Sequence, residues 1–130
     1  MKKLLLFLIL FYAELLFPQD TLLINAEYIP HTDTTLVYYP SNYSSSVQYP
    51  LIFMLHGFAG NYAQWSHIVN LQHYADKYNF IIVCPDGFYD SWYMNSPINP
   101  KSQFETFFFK NLVPVIFHRY SIDSTNIFIT

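Results

Sequence analysis

The order of apolar runs predicts an α/β domain: an antiparallel hairpin, then parallel strands joined by crossover helices. Three observations carry this expectation. The stretches "YPLIFMLHG" and "FIIVCPDG" hold continuous apolar runs, Leu51–Leu55 and Phe80–Cys84, and strands buried on both faces lack the alternation of a half-wet strand. Between them Trp65, Ile68, Leu71, Tyr74, Ala75 and Tyr78 recur at helical spacing. A second helical stripe then leads into "STNIFIT", Ser124–Thr130, which reads as a third strand. Strand, helix, strand, helix, strand implies a parallel sheet with right-handed crossovers.

The N-terminus carries Lys2 and Lys3, then the apolar run Leu4–Ala13, then Glu14 and "FPQD". This is the layout of a secretory signal peptide over residues 1–19, with a folded domain over 20–130 and a secreted or periplasmic destination. The run falls short of the ~20 apolar residues that cross a bilayer, so no stable membrane span is expected once the signal is cleaved. No small-x-small triplet precedes Gln19 or Asp20, which leaves an uncleaved N-terminal anchor as the alternative.

With 52% hydrophobic and 12% charged residues, the chain supports one globular core and is too apolar to be disordered. The net charge of -3 comes without a basic stripe, which argues against a nucleic-acid partner. Cys84 is the only cysteine, so no internal disulfide forms and packing alone must hold the domain.

The hairpin is expected from "TLLINAEYI" and "TTLVYY" around the turn-like "PHTD", Pro30–Asp33. "SNYSSSVQ" is a Ser-rich surface loop. One amphipathic helix is expected within Asn61–Asn79, with a separate short turn as a possible prelude. "SQFE", Ser102–Glu105, has the spacing of a capping box. The helix it opens would bury Phe104, Phe108, Leu112, Val115 and Ile116, and Pro114 should bend or break it.

Ligands in open α/β sheets bind beyond the carboxyl ends of the strands, and two loops leave such ends. In "HGFAGN", His56–Asn61, the glycines Gly57 and Gly60 permit a sharp turn that presents backbone amides outward, with the Phe58 N–H as the candidate oxyanion donor. An ordinary glycine turn is the competing reading. In "PDGFYDSWYMNSP", Pro85–Pro97, the residues Trp92, Tyr93 and Asn95 either line a substrate cleft or form a lid packed on its own domain. Asp86 suits a side-chain to backbone turn bond. Cys84, in an apolar strand, reads as a buried neutral thiol. No metal or cofactor motif is visible.

The blocks "YPLIFMLHGFAGNYAQW", "FIIVCPDGFYDSWYMNSP" and "KSQFETFFFKNLVPVIFHRY" together resemble the esterase branch of the α/β-hydrolase superfamily. That branch includes S-formylglutathione hydrolase-like esterases, feruloyl and acetyl-xylan esterases and mycolyltransferases. The resemblance runs from about Thr34 to Thr130 and implies a serine hydrolase of carboxylic esters. It places an oxyanion-hole amide at Phe58, after His56 and Gly57, and puts Asp86 and Trp92 near the substrate-side loop. In the family the strand corresponding to "NIFIT" runs into the G-x-S-x-G nucleophile elbow, and the triad Asp and His follow later. None of these is present in the sequence. The expectation is therefore the N-terminal portion of an α/β-hydrolase fold, truncated before the elbow and inactive by itself. Its substrate would be a small-molecule or sugar ester, and no cofactor is expected. The alternative is a non-catalytic carbohydrate- or ester-binding module, or a decayed gene product.

Overall fold

The computed structural model describes residues 19–130. The expected signal peptide, apart from Gln19, lies outside the described residues. Strands β1 (Gln19–Ile24) and β2 (Asp33–Tyr38) form the hairpin. They are followed by β3 (Tyr49–Phe53), helices α1 (Gln64–Ile68) and α2 (Leu71–Tyr78), and β4 (Ile81–Cys84). Helix α3 (Phe104–Phe107), a π-helical turn (Phe108–Leu112) and α4 (Val113–Arg119) run head to tail before β5 (Ile122–Ile129). The five strands make one mixed sheet of order β1-β2-β4-β3-β5. β1 with β2 and β2 with β4 are antiparallel, while β3 pairs parallel with both β4 and β5.

The apolar runs divide between two cores. Val37, Leu51, Phe53, Ile81 and Val83 face Phe104, Phe107, Phe108, Leu112 and Ile116 on one side of the sheet. Leu36, Tyr38, Ile82 and Cys84 face Leu71 and Ala75 on the other. β4 is buried at all four positions, as its unbroken apolar run requires, whereas β3 alternates between buried and half-buried.

The single helix expected within Asn61–Asn79 is broken in two. Val69 is extended, and the Asn70 side chain accepts the His73 N–H to cap α2 afresh. The break changes the buried face: α2 buries Leu71 and Ala75, while Ile68, Tyr74 and Tyr78 are exposed. The second helix begins where expected, without the expected capping box. Gln103 occupies the cap with no side-chain bond to the helix, and its amide donates to the carbonyls of Ser96 and Asn99. Pro114 acts as expected in disturbing the helix. It sits in the first turn of α4, directly after the π-helical turn, where the wider winding accommodates a residue that has no N–H and crowds the preceding turn. Phe107 joins the buried stripe, and Val115 is only half-buried.

β5 lies at the sheet edge. Its pairing with β3 shifts register between Tyr49 and Leu51, and the slack holds a small knot in which Asp123 accepts the Thr125 N–H and the Asn126 amide. Ile127, Phe128 and Ile129 remain substantially exposed. At the opposite end of the sheet Tyr39, Tyr43, Tyr49 and Tyr120 cluster ring against ring. Tyr120 donates its hydroxyl to Asp20 of β1 at 2.5 Å.

Leu112 is fully buried between helix and sheet, so Leu112→Ala should cost about 2–5 kcal/mol. Ile68→Ala, on an exposed face of α1, should fall within about 0.5 kcal/mol. Urea denaturation of the two variants measures the contrast and tests the broken-helix arrangement.

Candidate active site

β3 and β4 are parallel neighbours whose following helices cover opposite faces of the sheet. A crevice opens where the two connections part, at the carboxyl ends of the strands. It has a volume of about 520 Å³ and is lined chiefly by Leu55–Phe58, Gln64, Trp65, Phe88–Tyr93 and Thr130. The two loops singled out from sequence therefore form its walls. Thr130 reaches the same rim, with its carbonyl accepting the Leu55 N–H at 2.8 Å and its own N–H donating to Phe53. The Trp65 indole N–H holds the Leu55 carbonyl from the α1 side at 3.0 Å.

His56 is the hinge between the loops. Its Nδ1–H donates to the Gly57 carbonyl at 2.8 Å, and its Nε2 accepts the Gly87 N–H at 2.9 Å. The Asp86 carboxylate lies 3.4 Å from the same Nε2 and also accepts the Phe88 N–H at 2.9 Å. The backbone N–H of His56 donates to the Tyr93 hydroxyl, which in turn donates to the Pro85 carbonyl. The Tyr93 ring meets the imidazole edge to face, 5.4 Å between centroids. Burial lowers the tendency of His56 to take a proton, but Asp86, the Gly57 carbonyl and the Asp33 charge together hold its pKa above the ordinary histidine value. Burial pushes the Tyr93 hydroxyl up, so it stays protonated and remains a donor to Pro85.

The glycines work differently from the sequence expectation. Among the described residues no glycine has a left-handed φ, and the turn after Gly57 is made by Ala59, with φ 61°. A Cβ on Gly60 would run into the Gln64 side chain and His56, and one on Gly87 would enter the Tyr93 ring. These two glycines are required for close packing. Gly57 faces open space. Left-handed φ also occurs at Phe88, Trp92 and Tyr93, each a departure that costs roughly 1–3 kcal/mol and that concentrates at functional sites.

The structure brings His56, Gly57, Phe58, Trp92 and Tyr93 together on the cleft. The Phe58 N–H donates to no acceptor among the described residues. Its ring stacks on Trp92 at 5.8 Å and meets Tyr89 edge-on at 5.0 Å, forming an aromatic shelf whose members are 59%, 67% and 62% exposed, respectively. Asp86 lies behind the wall in its turn, and Asn61 accepts the Ala63 N–H at the entry to α1. Asn95 is away from the cleft, paired with Thr106 of α3. Cys84 is buried, which pushes its thiol up to about 12 and leaves it inert. Among the described residues no cluster of His, Cys, Asp or Glu could hold a metal ion, and no helix is long and apolar enough to cross a membrane.

Sequence reading missed Asp33, placing it in a turn. The register of β2 on β4, Leu36 opposite Cys84, continues toward Asp33 beside Asp86 and Gly87. Its carboxyl is fully buried there, with one oxygen accepting the Thr35 hydroxyl at 2.6 Å and the other without a partner among the described residues. Burial, with a smaller push from the Asp86 charge, raises its pKa to about 7 against the opposing pull of Thr35, the Asp86 amide and His56. The available signal was an acid abutting the apolar run "TTLVYY" with no polar residue between it and the strand but threonines.

The family model described as "Putative esterase" matches residues 26–130. Solved structures with the same fold include a ferulic acid esterase (TM-score 0.70, 21% identity) that covers 85% of this chain and 47% of its own. An S-formylglutathione hydrolase from Agrobacterium tumefaciens matches with TM-score 0.73 and 17% identity over 85% of this chain and 47% of that one. A fluorophosphonate-binding serine hydrolase of Staphylococcus aureus matches with TM-score 0.70 and 14% identity over 85% and 45%. The chain thus spans about half the length of these structures and shares their fold over that part. No curated protein sequence matches the chain.

Asp33 is raised from 3.8 to about 7, so its contribution to stability is fully present below the unfolded value and is lost as pH rises through 7. Asp33→Asn should flatten that fall between about pH 4 and 7 and leave the protein more stable than wild type at pH 8, by on the order of a few kcal/mol; thermal melts across this range check it. Gly87→Ala should destabilise strongly by displacing the Tyr93 ring, whereas Gly57→Ala, with nothing within 4 Å of the added carbon, should leave the melting temperature nearly unchanged.

Proposed function

Because the chain belongs to this esterase family, matched over residues 26–130, we propose that it is the N-terminal part of an exported serine carboxylic-ester hydrolase. The nucleophile and the rest of the triad would lie beyond Thr130. The observation that carries the reading is the meeting of two things on one rim. The unpaired Phe58 N–H and the end of β5 both border the same cleft, so a serine carried on the turn after β5 would stand across from a backbone donor.

In the mechanism, the serine attacks the ester carbonyl and its proton passes to the triad base. The carbonyl oxygen takes up the negative charge, and the Phe58 N–H helps to stabilise it. Loss of the alcohol leaves an acyl-enzyme, which water resolves. His56, Gly57, Gly60 and Asn61 shape the loop that carries the donor. Trp92 and the exposed aromatic shelf contact the substrate, Tyr93 both lines the cleft and braces it, and Asp86 steadies the loop behind. Rings of this kind suit the flat faces of sugar rings or acyl chains, which favours a sugar ester or a similar small-molecule ester. The chain to Thr130 carries the oxyanion loop without a nucleophile and should be inactive alone. Export rests on the basic start and the apolar run Leu4–Ala13, with residues 1–19 removed.

In the full-length protein, a short-chain nitrophenyl ester should be hydrolysed, and a fluorophosphonate should abolish turnover. Phe58→Ala keeps the backbone donor and should lower kcat only a few-fold. Phe58→Pro removes the donor and should lower kcat by about 10²–10³-fold. Equal kcat for the two variants would rule Phe58 out as the oxyanion donor, and no hydrolysis by wild type would rule out the esterase.

A further inference from the structure

We propose that His56 is a positioning residue, whose Nδ1–H fixes the Gly57–Phe58 peptide so that the Phe58 N–H points into the cleft. The inference rests on the ester-hydrolase reading and deepens it. The Gly57 carbonyl and the Phe58 N–H belong to one planar trans peptide and point in opposite directions. Anchoring the carbonyl on one side therefore aims the N–H to the other. Gly57 has no side chain and open space around it, so no side-chain packing at Gly57 holds this peptide in its orientation. Two donors converge on the carbonyl instead: the Gly60 N–H at 3.0 Å, which closes the turn, and His56 Nδ1–H at 2.8 Å. A flipped peptide would forfeit both bonds and turn a carbonyl oxygen toward a developing oxyanion.

The imidazole can aim the peptide because it is itself held from elsewhere. Gly87 N–H reaches its Nε2 at 2.9 Å, Asp86 stands 3.4 Å from that atom, and the Tyr93 ring packs against its edge. The position of the second loop is thereby transmitted to the oxyanion donor of the first. The bond from Nδ1–H to Gly57 is made in both charge states of the ring, whereas the Gly87 bond needs the neutral one. In the neutral form Nδ1 carries the proton while Nε2 accepts from Gly87; in the charged form Nδ1 still donates, and Nε2–H faces Asp86.

The test uses variants that separate the two edges of the ring. In His56→Asn the amide nitrogen takes the place of Nδ1 and can still donate to Gly57, but nothing replaces Nε2. In His56→Gln the amide oxygen takes the place of Nε2, and the donor to Gly57 is lost. In the full-length protein, His56→Asn should keep kcat within a few-fold of wild type. His56→Gln and His56→Ala should lose at least about tenfold in kcat with little change in KM, less than the ~10²–10³-fold expected for deleting the donor itself. Equal losses in Asn and Gln, or a loss confined to KM, would overturn the proposal. Ring-nitrogen NMR of wild type above the pH of ring titration gives an answer that needs neither activity nor stable variants. A protonated Nδ1 with a bare Nε2 supports the proposal, and the opposite tautomer overturns it. Wild type that shows the first tautomer yet hydrolyses no ester would leave the loop geometry standing and remove the esterase reading.

Discussion

Handedness decides where this molecule has a cleft. A right-handed crossover from β3 to its neighbour on one side must pass over one face of the sheet, and a right-handed crossover from β4 back past β3 to the other side must pass over the opposite face. α1 and α2 therefore lie on one face, and α3 with its π-helical turn and α4 on the other. The loops that leave β3 and β4 are drawn apart at their roots. Everything seen at that end of the sheet fills or stabilises the resulting gap: the His56 ring between the loops, the Tyr93 hydroxyl across the strand ends, and the aromatic shelf at the mouth.

Holding such a gap open has a physical cost, and the structure meets it locally. Left-handed backbone at Ala59, Phe88, Trp92 and Tyr93 and a buried carboxyl at Asp33 are each unfavourable alone. The opposing contributions come from backbone groups that would otherwise be unsatisfied at the strand ends. The Gly87 and Phe88 N–H groups, the Pro85 carbonyl and the His56 N–H each find a side-chain partner among His56, Asp86 and Tyr93. Few of these side chains are available to make new bonds to a ligand. Phe58 differs, since its amide is uncommitted and its ring sits on the surface.

The apolar runs of β3 and β4 and the helical spacing after them were sufficient to read the layered fold, because burial on two faces leaves an unbroken apolar run and burial on one helical face leaves a period, both visible in one dimension. Both cleft loops were legible for a related reason: loops that follow buried strands must emerge at the strand ends. Side-chain commitments were not legible. The helix break at Val69 and Asn70 depends on a competing cap, and in place of the capping box Gln103 meets carbonyls in a neighbouring turn. Asp33 looked like a turn residue because its burial is produced by Asp86 and Gly87, some fifty residues away in sequence. The glycine reading was right about Gly60 for the wrong reason and gave no packing role to Gly87, since close approach by Gln64, His56 and Tyr93 cannot be seen without the packing.

The bond from Tyr120 to Asp20 joins positions 100 residues apart. A chain made from its N-terminus can close the β1–β2 hairpin early, since those contacts are local. The outer strand, however, adds the Tyr120 bond to the nearby Tyr39 bond at Asp20 only after the end of α4 has left the ribosome. Until then β1 is a hairpin arm held by β2 and Tyr39, and the Tyr120 bond reports that the helix on that face has arrived. The order of synthesis thus makes one bond on the first strand of the sheet among the last to form.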